Sequence, residues 1–169
     1  MKILVLGSSG TGKTTICREL GEKLNIETLH LDSVYWEKDW TNISKVEFNT
    51  YMKKFLTKHK SWVIDGNYSN NLHFKYRLDA ADIIIFLDFG TQVSLQGIHK
   101  RAKDYRNLTR PDMAEGCVEG IDQIFLQYVA FYYKYRAKYL KATISKYKSK
   151  KQVIIFKNRT ELYKWYSSL

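Results

Sequence analysis

The chain has 169 residues, 44% of them hydrophobic, with thirteen Tyr, one Pro and a formal net charge of +11. That is one domain's length with enough apolar residues for one core, and no linker or internal repeat interrupts it. The N-terminal apolar run Ile3–Leu6 is too short for a signal-peptide core or a membrane span, and Cys17 and Cys117 form neither a disulfide framework nor a metal-ligand spacing.

A reducing cytoplasm and no membrane partner are therefore expected, with oligomeric state left open. The charge is uneven. Residues 1–99 carry 12 Lys/Arg against 11 Asp/Glu, and residues 100–169 carry 16 against 6. A surface for polyanions, if present, belongs to the second half.

In chain order, Lys2–Leu6 predicts a buried strand that stops at Gly7, and Thr14–Leu24 a helix. Glu27–Leu31 predicts a second strand ending at Asp32. Ser44 and Glu47 match a capping box, followed by Phe48, Tyr51, Met52, Phe55 and Leu56 at helical spacing. Trp62–Ile64 and Asp82–Leu87 predict strands three and four. Thr91 to Asp104 predicts a helix, and the polar stretch Arg106–Gly120 a flap. Ile121 to Lys148 reads as one long aromatic-rich helix, with a bend allowed. Gln152–Phe156 predicts a fifth strand and Thr160–Ser167 a closing helix. Strands alternating with helices imply an α/β fold, a five-stranded parallel sheet with helices on both faces. Ligands collect at the carboxyl ends of such strands, where Gly7, Asp32, Asp65, Asp88 and Lys157 fall.

Gly7-Ser8-Ser9-Gly10-Thr11-Gly12-Lys13-Thr14 fits G-x-x-x-x-G-K-[ST] at every fixed position, with Thr15 next in the helix. Glycines let the backbone N–H groups turn inward on phosphate oxygens, and the helix adds its positive end. Lys13 is expected on the β- and γ-phosphates and the Thr14 hydroxyl on magnesium. ATP with Mg2+ is the expected ligand.

The class of P-loop protein follows from what accompanies the loop. An Asn-Lys-x-Asp guanine motif is absent, since Lys157-Asn158-Arg159 has no Asp two residues on. A hydrolytic Asp-Glu pair is absent too, since Asp65 precedes Gly66 and Asp88 precedes Phe89. That disfavours a GTPase and a dedicated ATPase and leaves phosphoryl transfer to a small molecule. Asp32 and Asp65 are the candidate carboxylates, one organising magnesium and one taking a proton from the acceptor, in either assignment. Arg101, Arg106 and Arg110 flank or enter the flap and are candidate phosphate clamps. Tyr35, Trp36, Gly66, Asn67 and Tyr68 are candidate acceptor-pocket residues, with Arg136 and Arg106 as candidate charged contacts.

The segments His30-Leu31-Asp32-x-x-Tyr35-Trp36, Trp62-Val63-Ile64-Asp65-Gly66-Asn67-Tyr68, Phe86-Leu87-Asp88-Phe89 and Thr109-Arg110-Pro111-Asp112-Met113-Ala114-Glu115-Gly116-Cys117, together with the phosphate loop, resemble the bacterial DNA topology modulation protein family. That family is similar to adenylate kinase and shikimate kinase. The resemblance runs over nearly the whole chain in the same order. It implies a nucleoside monophosphate kinase-like P-loop domain over 1–169 with a lid at 106–120. It also implies phosphates on Gly7–Thr14, Asp65 in the magnesium shell, Arg101 on the γ-phosphate and Arg110 as a lid arginine. Nucleotide kinases often carry an adenine-stacking arginine four residues before the first lid arginine. Gly97 stands there in this chain, so adenine is expected against Arg101 or the loop Lys157–Arg159.

A competing function is ATP-linked nucleic-acid binding that affects DNA topology. Lys134, Arg136, Lys138, Lys141, Lys146, Lys148, Lys150 and Lys151 follow one another with no acidic residue from Tyr133 to Lys151. Against it, Tyr128, Tyr132, Tyr135 and Tyr139 fall on one helical stripe expected in the core, with the lysines solvated. A polynucleotide-end kinase would use both features.

Overall fold

A computed structural model describes residues 1–70 and 72–169, Leu72 by its backbone alone. Its first elements are β1 (Lys2–Gly7), α1 (Lys13–Leu24), β2 (Glu27–His30) and a short helix α2 (Leu31–Tyr35). Next come β3 (Trp36–Glu37), a 3-10 turn (Lys38–Trp40), β4 (Thr41–Asn42), α3 (Lys45–Lys58), β5 (Trp62–Asp65) and α4 (Leu72–Ala80). The chain closes with β6 (Ile83–Leu87), α5 (Thr91–Asp104), α6 (Gln123–Phe131), α7 (Arg136–Ser145), β7 (Gln152–Phe156) and α8 (Arg159–Ser167).

Five strands form one parallel sheet in the order β2–β5–β1–β6–β7, and β3 and β4 form a separate hairpin. Strand alternation sends the β-residues to two cores. Leu4, Leu6, Ile64, Ile84 and Phe86 meet Phe48, Met52, Phe74 and Leu140 on one face. Ile3, Val5, Val63, Ile85 and Leu87 meet Ile16, Cys17, Leu20 and Leu162 on the other. The continuous apolar strands expected of a sheet covered on both faces are thus explained, since β5 and β6 are buried end to end. Ser44 caps α3 as a capping box, with the Glu47 N–H on Ser44 Oγ at 3.2 Å and the Ser44 N–H on Glu47 Oε2 at 2.9 Å. No helix among the described residues is long and apolar enough to cross a membrane.

Two expectations are corrected here. The segment 121–148 is two helices, α6 and α7, separated at Tyr132–Tyr135. The break changes the helical phase, so the four tyrosines do not form one buried stripe. Tyr132 is buried, whereas Tyr128, Tyr135 and Tyr139 are exposed. Lys151 is not a solvated lysine: its ammonium donates to the Asp79 carbonyl and, at 2.7 Å, to the Ala81 carbonyl, tying the start of β7 to the end of α4.

Candidate active site

The phosphate loop connects β1 to α1, and its conformation follows from its glycines. Gly10 and Gly12 have φ of 79° and 91°, a region other residues rarely enter. A Cβ on Gly12 would meet nothing within 4 Å, so the mouth of the loop is open. Thr11 Oγ1 donates to the Ser8 carbonyl at 2.8 Å, as does Lys13 Nζ at 2.8 Å. Ser8 Oγ is buried without a partner. Neither the Thr14 hydroxyl nor Asp65 Oδ1 has a hydrogen bond among the described residues.

Asn67 closes the loop from the side. Its Nδ2 donates to the Gly7 carbonyl at 2.8 Å, and the Gly7 N–H donates to its Oδ1 at 3.1 Å. This couples the end of β1 to the segment after β5. That segment is held in turn by Arg77 of α4, which is completely buried. Arg77 Nη1 donates to the Gly66 carbonyl and Nη2 to the Asn67 carbonyl, both at 2.8 Å, and Nε to His73 Nδ1 at 3.2 Å. Burial lowers the Arg77 pKa to about 9. Burial and the Arg77 charge lower that of His73 to about 3, so the imidazole is neutral and accepts. Sequence reading missed Arg77, because a lysine or arginine on a helix carries no local sign that it will be buried.

Asp65 ends β5, opposite Val5 and His30 in the sheet register. It is buried, and its Oδ2 lies 3.0 Å from His30 Nδ1. Burial pulls the His30 pKa down, but the hydrogen bond and charge of Asp65 outweigh it and leave the pKa raised. Gly66 follows with φ 117°, and a Cβ there would lie 2.8 Å from Leu31 Cβ. Glycine is thus required both by its positive φ and by packing on Leu31. Asp32 lies within α2, one element beyond the strand end expected for it. Its Oδ1 accepts from the Tyr68 hydroxyl at 2.5 Å. Tyr68 itself has φ 37°, a strained value for a bulky residue and one concentrated at functional sites. Tyr35 packs on Tyr68 with ring centroids 4.8 Å apart and edge-on to Trp36 at 5.0 Å.

Two arginines, Arg101 near the end of α5 and Arg110 in the flap, share one flap carboxylate. Arg101 Nε donates to Glu119 Oε1 at 2.8 Å and Arg110 Nε to Oε2 at 2.6 Å, while Arg110 Nη1 donates to Asp112 at 2.6 Å. Arg110 and Glu119 are buried. Glu119 had no signal in the sequence beyond its place in the flap. A single bridge pairs Thr109 with Val118, and the flap rests on the β3–β4 segment: Trp40 Nε1 donates to the Val118 carbonyl at 2.9 Å and Cys117 Sγ to the Glu37 carbonyl at 3.0 Å. Arg106 is exposed and makes no side-chain hydrogen bond or ion pair with the described residues. The structure leaves it outside the cluster.

Four of these groups set the field at Lys13. Burial lowers its pKa, Asp65 and Asp32 raise it, and Arg101 and Arg110 lower it further. The field that Lys13 feels therefore comes from the residues named as candidates from sequence. Arg136 reaches over the same side, its Nη1 donating to Asn70 Oδ1 at 2.9 Å. Tyr128, unremarked as a pocket residue from sequence, joins them: its ring is open to solvent on one side, while desolvation of its phenol raises the pKa, Arg136 and Asn67 pull it down and Asp32 opposes.

On the other side of the loop, Thr11, Gly12, Thr15, Arg159, Leu162 and Tyr163 line a pocket of about 210 Å³. Gly97 contributes no side chain because none fits. A Cβ there would lie 2.0 Å from the Gly10 carbonyl oxygen, and one on Gly10 would lie 2.2 Å from the Ser94 carbonyl. Helix α5 thus lies backbone to backbone on the phosphate loop.

Fold and loop together define a P-loop kinase-like fold. The chain is similar in structure to the shikimate kinase of Bacteroides thetaiotaomicron, with a TM-score of 0.55 and 17% identity over 93% of this chain and 86% of that one. It is likewise similar to the deoxyadenosine kinase of M. mycoides with bound dATP, with a TM-score of 0.51 and 18% identity over 93% and 91% of the two chains. In sequence it is similar to the uncharacterized protein YqaC of Bacillus subtilis (strain 168), 24% identical over 134 residues, 77% of this chain and 71% of that protein. No family model matches the chain.

Proposed function

We propose that this protein is an ATP- and magnesium-dependent phosphotransferase that passes the γ-phosphoryl group to a hydroxyl or phosphate oxygen of a small acceptor. The observation that carries the reading is that Asp65, Asp32, Arg101 and Arg110 are the charges that act on Lys13 of the phosphate loop. The open space at Gly12, the unpartnered Ser8 Oγ and the unbonded Asp65 Oδ1 fit a nucleotide's phosphates and a cation.

The residues divide the work by their surroundings. Thr14 and Asp65 would hold magnesium, which when bound neutralises phosphate charge. Asp65 suits that role because it is buried and fixed by His30. Asp32 suits proton transfer. It is only partly buried, and Tyr68 fixes Oδ1 and leaves Oδ2 for the acceptor hydroxyl. As the acceptor oxygen bonds to phosphorus and the bridging P–O bond breaks, the acceptor proton passes to Asp32. Lys13, Arg101 and Arg110 face the charge that develops on the transferring group. The nucleobase lies in the pocket beside Arg159 and Tyr163, since Gly97 leaves no room for a stacking side chain. Tyr35, Trp36, Tyr68, Tyr128 and Arg136 border the acceptor, and segment 106–120 closes over both ligands.

The test is a phosphoryl-transfer screen with ATP and magnesium over nucleoside monophosphates, nucleosides and small hydroxy metabolites. An acceptor that speeds ATP consumption is expected. Asp32→Asn should then lower kcat by about 10²–10⁴-fold with nucleotide binding kept. Fast ATP turnover indifferent to every acceptor would refute the reading.

A second reading, nucleic-acid binding on α7, gains from the exposure of Tyr135 and Tyr139 beside exposed Lys138. Rings available for stacking next to ammonium groups suit a single strand.

A further inference from the structure

Cys17, His30 and Asp65 come from three elements, α1, the end of β2 and the end of β5. Cys17 lies on the face of α1 that packs on the sheet, its Sγ 3.6 Å from the Val63 carbonyl. β2 and β5 are sheet neighbours, which sets His30 opposite Asp65. One ligand atom from each of the three side chains, a sulfur, a ring nitrogen and a carboxylate oxygen, lies within 4.8 Å of the other two. Among the described residues no other three His, Cys, Asp or Glu side chains are so gathered. Cys17 and Asp65 are buried, and His30 is partly open to solvent.

We propose that these three side chains form a site for a thiophilic divalent cation of the zinc class, with the fourth position left to a water or other exogenous ligand. The donor set decides the class. Sulfur with imidazole suits zinc-like ions, whereas magnesium takes oxygen ligands. Tetrahedral bonds of about 2.0–2.3 Å require donor atoms about 3.3–3.8 Å apart. The His30–Asp65 separation of 3.0 Å falls just short of that range, so the two groups must spread by a few tenths of an ångström as the ion enters. The sulfur, within 4.8 Å of both other donors, has to close in by up to about 1 Å. On binding, the Cys17 thiol releases its proton to solvent, the proton shared by His30 Nδ1 and Asp65 Oδ2 leaves Nδ1 so that the bound ring is neutral with its proton on Nε2, and the His30–Asp65 hydrogen bond is replaced by two metal bonds.

The consequence rests on the phosphotransferase reading. A dication held on Asp65 Oδ2 repels magnesium on Oδ1 and draws charge from the shared carboxylate, so a zinc-class ion inhibits by weakening magnesium binding. The site itself is tested without reference to activity. Cobalt(II) is titrated anaerobically into the full chain, and the thiolate-to-cobalt charge-transfer band and the visible d–d bands are followed. Saturation at one equivalent is expected, with loss of the charge-transfer band in Cys17→Ser and its retention in Cys117→Ser, which removes the chain's only other thiol. His30→Gln changes a partly exposed residue and serves if Cys17→Ser does not fold. Its cobalt affinity should drop more than tenfold, beyond the lower bound for loss of a mere outer-shell partner. No charge-transfer band in the wild type, a band that survives Cys17→Ser, or a drop of less than tenfold in His30→Gln would overturn the site. These spectra do not depend on any acceptor, so a blank phosphoryl-transfer screen and a blank cobalt titration are separate failures.

Discussion

Acidification should destabilise this protein through one histidine. His73 Nδ1 accepts a hydrogen bond from Arg77 Nε at 3.2 Å, and its Nε2 is buried without a partner. A proton on Nδ1 would break that bond and place two cations side by side in the core. The folded-state pKa of about 3 lies below the ordinary 6.5, so the unfolded chain binds the proton that the native state refuses. Stability must then fall as pH drops from about 6.5 toward 3. At pH 5 the unfolded imidazole is almost wholly protonated and the folded one is not. One pKa unit is worth about 1.36 kcal/mol, so the loss between pH 7.5 and pH 5 is about 2 kcal/mol. In a chain this long that is a melting shift of about 4–8 °C. The assay compares urea unfolding of wild type and His73→Gln at both pH values. Gln can accept from Arg77 without titrating, so its acid loss should be smaller by that 2 kcal/mol, while other titrations cancel. Equal acid losses in the two proteins would refute the reasoning.

Three further outcomes are expected. Gly97→Ala should destabilise by about 1–3 kcal/mol in thermal unfolding, because its methyl group meets the Gly10 carbonyl oxygen at 2.0 Å. It should also weaken the melting shift given by ATP with magnesium. Lys13→Ala should abolish most of that shift, which for wild type at 100 times the dissociation constant is about 2.7 kcal/mol; equal shifts would remove the phosphate-loop assignment. Changing exposed Lys146, Lys148 and Lys150 to Gln should leave transfer to a small acceptor intact and weaken only salt-sensitive DNA binding, read by anisotropy across salt. Lys151 is left out of that set because it bonds the Ala81 carbonyl.

Strands were legible in the sequence because each is a short apolar run bounded by polar residues, and in this sheet both faces are covered. The phosphate loop was legible because its spacing is rigidly tied to backbone geometry. The break between α6 and α7 was not, since no Gly or Pro marks Tyr132–Tyr135. It arises where Tyr132 turns into the core, a tertiary cause. The hairpin Trp36–Asn42 and helix α4 also escaped. Two-residue strands carry no period, and the Ser69-Asn70-Asn71 run before α4 reads as a turn as readily as a helix cap. Of the candidate site, the strand-end carboxylates and flap arginines could be named individually. Glu119, which holds two of those arginines, and Arg77, which fixes three residues after β5, depend on partners that only the fold brings near. The same holds for Cys17 and His30, whose spacing in sequence suggests nothing until β2 lies beside β5.

The seam between Gly10 and Gly97 has a mechanical side. Where two backbones touch, no rotatable side chain is available to yield, so the contact has low compliance. A displacement of the phosphate loop by a few tenths of an ångström must move α5 by a similar amount. Arg101 sits four residues beyond the seam, about 6 Å along the helix axis, and shares Glu119 with Arg110. Filling the loop therefore loads the flap's anchor directly, as a stiff rod carries a push to its far end. A larger residue at either glycine would put a spring in that rod.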